Sequence, residues 1–351
     1  MEWLGTGGTT ALVGLFGGVL LGLAARRGRF CTLGAIEDAL YASDWDRIRM
    51  WALALAVGIT GTFLLAETDI LDLSTTIYSR FEWNPVGSIL GGLIFGYGMA
   101  IAGNCGYGAL ARFGGGDLRS FMIVLVTGIS AYVTISGPLA LARITVFPTE
   151  LLEDPQAVGY AHLIANALSL PAFVPAVVLA VLLAAWAFGS RTFRTSRTAI
   201  LWSIVVGIAI ISGWAGTTWI ASESFDPVLV GSHTFTRPLG ETMLYLMTSS
   251  GGGLGFSVGS VVGVIVGALI GSISKGHFRW EACDDPGELG RQILGGACMG
   301  VGGVLAFGCS VGQGLTAFST LSYSAPIVLF SIFIGAAFGL RQLIRGFEAA
   351  E

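Results

Sequence analysis

The chain alternates between long apolar runs and short polar or glycine-rich segments. A helix needs about 20 apolar residues to cross a bilayer, and nine runs approach or reach that length: 9–25, 49–66, 86–103, 120–141, 172–189, 199–220, 256–274, 290–307 and 326–342. Their periodicity is helical or absent, unlike the short alternating strands of an outer-membrane barrel. The pattern predicts an all-α polytopic membrane protein with about nine transmembrane spans.

The basic residues predict how these spans are oriented. If the N-terminus is outside, the inner loops carry 15 of the 18 Lys and Arg residues, and the outer loops carry only Arg80, Arg143 and Arg237. An excess of positive charge marks the cytoplasmic side. We therefore expect a bacterial inner-membrane protein with its N-terminus outside and its C-terminus in the cytoplasm. The first run has no basic residue before it and is expected to be a span, not a cleaved signal peptide.

Composition supports the membrane assignment and removes several function classes. The 351 residues are 54% hydrophobic and 11% charged, with a mean hydropathy of +0.77, whereas soluble proteins carry about 25% charged residues. A net charge of −4 with scattered basic residues argues against nucleic-acid binding. The five cysteines, at positions 31, 105, 283, 298 and 309, fit no zinc or haem spacing. We expect no metal and no cofactor.

Four connecting segments are too apolar or too rich in glycine to be ordinary loops. They are Phe30–Tyr41, Asn104–Gly116, Pro238–Gly253 and Gly308–Ser324. Each is predicted to be a re-entrant half-helix. Such backbone is tolerated at membrane depth only where protein or a water-filled cavity surrounds it.

An internal repeat relates the two halves of the chain. Shifting residues 91–125 by 204 positions onto 295–329 gives eleven identities in 35, among them Cys105 with Cys309. The third predicted span runs inward and the eighth runs outward, so the repeat is inverted. Inverted repeats with broken helices are typical of transporters, whose binding site lies at the repeat interface. We expect one membrane domain over 1–351, built from halves of about 1–170 and 171–351.

The chemistry available inside the membrane is unusual because the middle of every predicted span lacks charged residues and histidine. This argues against a carboxylate proton relay and a voltage sensor. The three histidines, at 162, 233 and 277, are expected at the surface or the interface. Broken helices offer unpaired N–H groups and a positive dipole end, which suit an anion. A neutral thiol adds a weak donor, and weak contacts allow release.

The cysteines differ in how well packing alone explains them. Free cysteine usually behaves as a small buried hydrophobe, and this interpretation is favoured for Cys298. Cys283 lies in a charged loop and is expected to be an incidental exposed thiol. Cys105 and Cys309 occupy equivalent repeat positions, which favours function. Cys31 follows a basic cluster and fits either interpretation.

The cysteine motifs resemble a known family. RGRFCTLGAI at 27–36, GNCGYGAL at 103–110 and FGCSVGQGLTAFSTLS at 307–322 are similar to the YeeE/YedE family of bacterial sulfur-compound transporters, whose best understood members import thiosulfate. The resemblance covers nearly the whole chain. It implies that Cys31, Cys105 and Cys309 line a narrow central path flanked by half-helices, and that each thiol passes the thiosulfate sulfur along by S–H···S hydrogen bonds.

The leading expectation is therefore a thiosulfate importer in which Cys105, Cys31 and Cys309 contact the terminal sulfur in turn. Half-helix N-termini and glycine N–H groups would stabilise the oxyanion end. Candidate supporting residues flank the cysteines: Asn104, Gly106, Gly308 and Gln313. The two amides either donate to the cargo or satisfy backbone groups freed at the helix breaks. The resemblance also implies a small cytosolic sulfurtransferase-like partner, beside membrane lipid.

Three alternatives remain open at this point. The same fold could carry a selenium species or another small sulfur anion such as sulfite. A membrane thiol-redox enzyme would need a close cysteine pair and a low-pKa thiol, and the sequence has no C-x-x-C motif. A purely structural membrane subunit would not explain the repeated cysteine motif. We therefore expect a transporter and not an enzyme.

Overall fold

The computed structural model describes residues 5–153, 156, 159–224, 227–249, 253–282 and 285–348, and Cys283 lies outside them. These residues form an all-α structure whose β content is two isolated bridges. The helices are α1 Gly5–Arg27, α2 Thr32–Glu37, α3 Asp46–Glu67, α4 Ile77–Arg80, α5 Pro85–Ala102, α6 Gly106–Phe113, α7 Leu118–Ile135, α8 Ala140–Val146, α9 Tyr160–Leu168, α10 Phe173–Phe188, α11 Arg191–Thr195, α12 Arg197–Glu223, α13 Arg237–Thr248, α14 Phe256–Ser274, α15 Pro286–Leu305 and α16 Ser324–Glu348.

Each of the nine predicted spans falls on a helix. Among the described residues, seven helical stretches are long and apolar enough to cross a membrane, and they contain α1, α3, α5 with α6, α7, α12, α14 and α16. The other two predicted spans coincide with α10, a shorter apolar helix, and with α15, which has 20 residues. The protein is thus a multi-pass membrane protein, and the total of nine spans stays a prediction.

One predicted span is too long. The run 120–141 was expected to be a single helix, but α7 ends at Ile135 and α8 begins at Ala140. Gly137 and Pro138 lie between them. Proline has no N–H for the helical ladder and its ring clashes with the preceding turn, so the helix ends before it.

Glycines bring α1 and α14 into direct backbone contact. A Cβ at Gly18 would collide with the backbone of Ser260 and Gly263, and a Cβ at Gly263 would collide with that of Leu15 and Gly18. Without hydrophobic driving force in lipid, membrane helices associate through such close packing of small residues. The glycine-rich faces of these two helices are therefore used inside the chain.

The contact between α5 and α15 has the symmetry that an inverted repeat requires. Gly91 packs on Gly302, and Gly98 packs on Gly295. A shift of 204 positions converts each pair into the other. The helix ends match as well, because Gly103 and Phe307, also 204 positions apart, both have a left-handed backbone, with φ of 75° and 56°. These contacts support the predicted repeat locally, and its extension over both halves stays a prediction.

Short helices occupy all four segments that were predicted to be half-helices. They are α2, α6, α13 and a helical stretch over residues 310–319, whose centre Gly312–Ala317 has π-helical geometry. We call this last stretch the 310–319 helix. Most of α6 and of the 310–319 helix is buried inside the protein. Outer faces of the long helices instead expose apolar side chains such as Leu182 and Phe330, as contact with lipid requires.

Candidate functional site

Two cavities of similar size lie at opposite ends of α1. The first, of about 390 Å³, is lined by apolar and hydroxyl-bearing side chains and is called the hydroxyl cavity: its hydroxyl-bearing residues are Thr6, Thr10, Tyr78, Ser232, Thr234 and Ser257, and Arg237 and Glu241 also line it. The second, of about 330 Å³, is called the basic cavity: Arg26, Arg29, Cys31, Glu37, Arg47, Asn104, Arg112, Lys275 and His277 line it.

The separation of the cavities follows from the helices they share. On α1, Thr10 lines the hydroxyl cavity and Ala25 lines the basic cavity. At about 1.5 Å per residue, these positions are about 22 Å apart along the helix. α14 connects them in the same way, with Ser257 at one end and Ser272 at the other. A path between the cavities would therefore cross most of a bilayer core.

The three motif cysteines occupy the same position in three different helices. Each lies just before the first turn, and its carbonyl accepts the first helical N–H bond. The N–H donors are Ala35 to Cys31 (3.1 Å), Ala109 to Cys105 (2.8 Å) and Gln313 to Cys309 (2.8 Å). Side chains at this N-cap position lie beside the unpaired N–H groups and the positive end of the helix dipole. The arrangement thus combines a thiol and an anion-favouring helix end three times.

Backbone groups already bind the sulfur atoms of the two buried cysteines. Gly108 N–H donates to Cys105 Sγ at 3.4 Å. Gly312 N–H and Phe235 N–H both donate to Cys309 Sγ at 3.3 Å. A sulfur atom that accepts these bonds still carries its own S–H, the only donor a thiol has. Both thiols can therefore offer this proton to an anion.

Cys105 lies near both of the other motif cysteines. The side chains of Cys31 and Cys309 are within electrostatic range of its thiol, and the Ser310 hydroxyl is within hydrogen-bonding range of it. Thr32 Oγ1 donates to Ser310 Oγ at 3.0 Å. Ser310 thus links the cysteine-bearing ends of α2, α6 and the 310–319 helix.

Each outer cysteine reaches one of the two cavities. Cys31 is half-buried and lines the basic cavity. Cys309 is buried, and its Sγ lies 3.8 Å from Oγ1 of Thr234, which lines the hydroxyl cavity. The three thiols therefore extend from one cavity towards the other.

The two candidate amides have different roles in the structure. Gln313 donates to the Phe307 carbonyl at 3.1 Å and accepts from Ser324 at 3.1 Å, so its side chain satisfies groups at the helix break. Asn104 Oδ1 lies 4.0 Å from Cys31 Sγ, which donates to it. Asn104 Nδ2 is buried and has no partner among the described residues. Asn104 Nδ2 therefore has neither of its two N–H donors paired among the described residues, whereas Gln313 Nε2 uses one of its two.

The two candidate glycines also differ. Gly308 has φ of 156°, a conformation that side chains rarely allow, and its N–H bonds to the Gly303 carbonyl. Glycine is therefore required there by the backbone. Gly106 has ordinary helical geometry at the start of α6, and a Cβ there would lie 3.3 Å from the flexible end of Leu239. Its place at the helix N-terminus leaves its N–H without an intrahelical partner.

The expectation for His233 was wrong. Its side chain is fully buried, and its Nδ1 shares a hydrogen bond of 2.7 Å with Ser260 Oγ. A Cβ at Gly17 would collide with its Nε2. Tertiary packing against α1 and α14 therefore encloses a ring that was expected at the surface or the interface because it lies outside the predicted spans.

Sequence reasoning missed the hydroxyl groups around the thiols, namely Thr32, Thr234, Ser310 and Tyr78. Tyr78 Oη donates to the Gly312 carbonyl at 3.1 Å. Thr32 and Ser310 are 278 positions apart, so no local pattern could pair them. Their positions next to motif cysteines were the only available signal.

The charged and cysteine residues elsewhere show no competing site. In the described part of the chain, no group of three or more His, Cys, Asp or Glu side chains could hold a metal ion. The four described cysteines are free. Cys298 is half-buried on α15, where it packs on Gly98 of α5, as expected for a packing residue.

Comparison with known proteins identifies the family of the chain independently of the structure. The family profile described as "Sulphur transport" matches residues 27–338. The chain is 29% identical over 330 residues to the thiosulfate transporter TsuA of Spirochaeta thermophila, covering 92% of this chain and 96% of that protein. It is 27% identical over 341 residues to the thiosulfate transporter TsuA of Escherichia coli, covering 92% of each. The chain therefore belongs to the YeeE/YedE family of sulfur-compound transporters and, like these relatives, is a transporter and not an enzyme.

Proposed function

We propose that this protein carries thiosulfate into the cytoplasm along the thiols of Cys31, Cys105 and Cys309. The observation that carries the proposal is the convergence of three N-cap thiols between two cavities at opposite ends of α1. The names of the relatives support the cargo.

The contacts suggest an order for the path. The anion enters the hydroxyl cavity, meets Cys309 next to Thr234, passes Cys105 and leaves past Cys31 into the basic cavity. This order differs from the one suggested by the sequence, in which Cys105 came first. Placing Cys105 second is part of the proposal, and the closeness of Cys105 to both of the other thiols supports it.

The chemistry divides between the two ends of thiosulfate. The terminal sulfur accepts weak S–H donors, and the oxyanion end accepts N–H groups at the starts of the short helices. Asn104 Nδ2 offers one more neutral donor near Cys31. Every contact along the thiols is individually weak and neutral, so no single residue holds the anion tightly and the anion can dissociate from each one.

The proposed direction places the basic cavity on the cytoplasmic side. Its cations come from segments that the charge distribution predicts to be inner loops. A small sulfurtransferase-like protein on that side, as the family resemblance implies, would receive the cargo. In this proposal the protein lies in the bacterial inner membrane, with lipid against its apolar outer faces.

Uptake of radiolabelled thiosulfate into proteoliposomes tests the proposal. Cys105→Ala removes the central thiol while keeping a small side chain, and we expect uptake to fall at least about tenfold, as for loss of a hydrogen bond to a charged group. Cys298→Ala is the matched control, because Cys298 packs on α5 away from the path. Equal uptake by the two variants would contradict the thiol path.

The same assay addresses the cargo. If the intact, folded protein takes up no thiosulfate, the cargo assignment fails. Competition by unlabelled sulfite and by a selenium oxyanion would then identify which related anion the path accepts. A disulfide between motif cysteines that forms and breaks during turnover would instead favour the thiol-redox alternative.

A further inference from the structure

The path ends differently at its two cavities. At the basic cavity, a motif thiol, Cys31, both lines the cavity and borders the central cysteine. At the hydroxyl cavity, Cys309 is buried and is not among the lining residues. Thr234 lies between this cavity and the Cys309 thiol, with its Oγ1 3.8 Å from Sγ. Thr234 thus lines the hydroxyl cavity next to a motif cysteine, just as Cys31 lines the basic cavity next to Cys105.

The Thr234 hydroxyl lies over the first turn of the 310–319 helix. A Cβ added at Gly312 would touch Thr234 Oγ1, so the absence of a side chain at 312 leaves room for this hydroxyl. Gly312 N–H donates to Cys309 Sγ in the same turn. The hydroxyl, the thiol and the helix N-terminus therefore face one small region.

The neighbours of Thr234 are fixed on several sides. Ser232 Oγ donates to the Ile210 carbonyl at 2.7 Å. The His233 carbonyl accepts from Thr316 Oγ1 at 2.6 Å, and Phe235 N–H donates to Cys309 Sγ. Ser232, His233 and Phe235 are buried, whereas Thr234 is partly exposed to the cavity. The backbone thus holds one hydroxyl in a defined position at the cavity floor.

A hydroxyl offers an anion something that a thiol does not. It donates a stronger hydrogen bond to oxygen, and it can accept at the same time. Such a donor at the entrance favours the oxygen end of a sulfur oxyanion, leaving the terminal sulfur for the thiols. We propose that Thr234 is a fourth residue of the path, whose hydroxyl binds the oxyanion end before Cys309 receives the sulfur. This inference rests on the proposed transport function.

Three variants in the uptake assay test this role. Thr234→Val keeps the shape but removes the hydroxyl, and we expect the half-saturating thiosulfate concentration to rise about tenfold, as for a lost hydrogen bond to a charged group. Thr234→Ser keeps the hydroxyl and should stay near the unmodified protein. Thr62→Val is the control, because Thr62 is a buried threonine of α3 whose hydroxyl has no partner among the described residues.

A second experiment requires no transport. In purified Thr234→Cys protein, a small methanethiosulfonate reagent should modify residue 234, as measured by the mass of the peptide that carries it. Added thiosulfate at its half-saturating concentration should slow this modification about twofold, whereas chloride should not. Modification of a soluble thiol in the same mixture corrects for the reagent that thiosulfate itself consumes. The peptide from protein with Thr234 intact gives the background.

The outcomes separate the two proposals. Normal half-saturation in Thr234→Val, together with unprotected modification at 234, would overturn the role of Thr234 while leaving uptake through the thiols intact. No uptake by the intact, folded protein would overturn the proposed cargo instead. Equal impairment in Thr234→Val and Thr234→Ser would show a packing requirement and would also overturn the hydroxyl's role.

Discussion

The two cavities have similar volumes and opposite character. Five basic side chains and one carboxylate line the basic cavity, whereas one arginine and one glutamate, paired at 2.6 Å, line the hydroxyl cavity. An anion in the first meets an excess of positive charge. In the second it meets neutral hydroxyl groups among apolar side chains. Under the proposed orientation, entry therefore depends on hydrogen-bonding geometry and exit on charge.

The difference is consistent with a path that conducts without tight binding. A strongly basic entrance would hold every abundant anion, since Coulomb attraction does not distinguish among them. Hydroxyl and backbone donors instead require particular positions of the acceptor atoms. The excess of cations at the other end raises the local anion concentration only after this selection.

The strongest test of the comparison is to block the connection between the cavities. Ser310 is fully buried, accepts from Thr32, and lies within hydrogen-bonding range of Cys105 on the proposed path. Ser310→Val adds volume in a packed region and removes the acceptor of Thr32. The added methyl groups crowd the region between the thiols, and the Thr32 hydroxyl loses its acceptor. We therefore expect thiosulfate uptake to fall at least about tenfold.

Ser310→Ala separates bulk from hydrogen bonding, because it removes the hydroxyl without adding atoms. We expect it to reduce uptake less than Ser310→Val. In both variants the Cys31 thiol should still react with a reagent that enters the basic cavity. Full uptake by Ser310→Val would mean that the two cavities are not joined through this region.

The helices of this fold were largely predictable because their signal is local. Apolar runs predicted all nine long helices, and apolar or glycine-rich connecting segments predicted four of the short ones, α2, α6, α13 and the 310–319 helix, whereas α4, α8, α9 and α11 were not predicted. The cysteine motifs also predicted helix breaks at the correct residues, since Cys105 and Cys309 cap α6 and the 310–319 helix. Where a local breaker was overlooked, as at Pro138, the prediction was wrong.

The details of the site depended on contacts between distant residues. Asn104 and Gln313 were equivalent in sequence terms, but only the structure shows that Gln313 satisfies the Phe307 carbonyl while Asn104 keeps a free donor. His233 lies outside the predicted spans, and only the structure shows that α1 and α14 enclose its ring. Hydrogen-bonding partners of this kind follow from tertiary packing, which no local pattern encodes.

A smaller effect should distinguish the charges of the two cavities. Arg237 is the cation of the hydroxyl cavity, whereas Arg112 is one of five in the basic cavity. Arg237→Gln leaves Glu241 unpaired, so at subsaturating thiosulfate and low salt we expect uptake to fall about fivefold, corresponding to about 1 kcal/mol. Arg112→Gln should lower it less than twofold, since about four-fifths of the cavity's positive charge remains.

Ionic strength and a double variant show whether this effect is electrostatic. Screening shortens the range of charge interactions to about 3 Å at 1 M salt, so the deficit of Arg237→Gln should shrink as salt is added. Combining it with Glu241→Gln removes the unpaired carboxylate and should restore part of the uptake. A deficit that is unchanged by salt would indicate a structural role for Arg237, and equal deficits at Arg237 and Arg112 would remove the contrast between the cavities.

The smallest effect concerns the carboxylate of the basic cavity. Burial raises the pKa of Glu37 above its usual range, and the neighbouring Asp38 carboxylate raises it further, against the opposing effect of Arg112 and Arg47. As pH falls through this pKa, Glu37 loses its negative charge, the cavity becomes more positive, and the anion should be released more slowly. Glu37→Gln removes this charge at every pH. We expect its uptake to be about twofold lower than that of the unmodified protein at pH values above this raised pKa, where Glu37 is ionised, and the two to converge as pH falls through it. Parallel pH profiles for the two proteins would show that Glu37 does not control release.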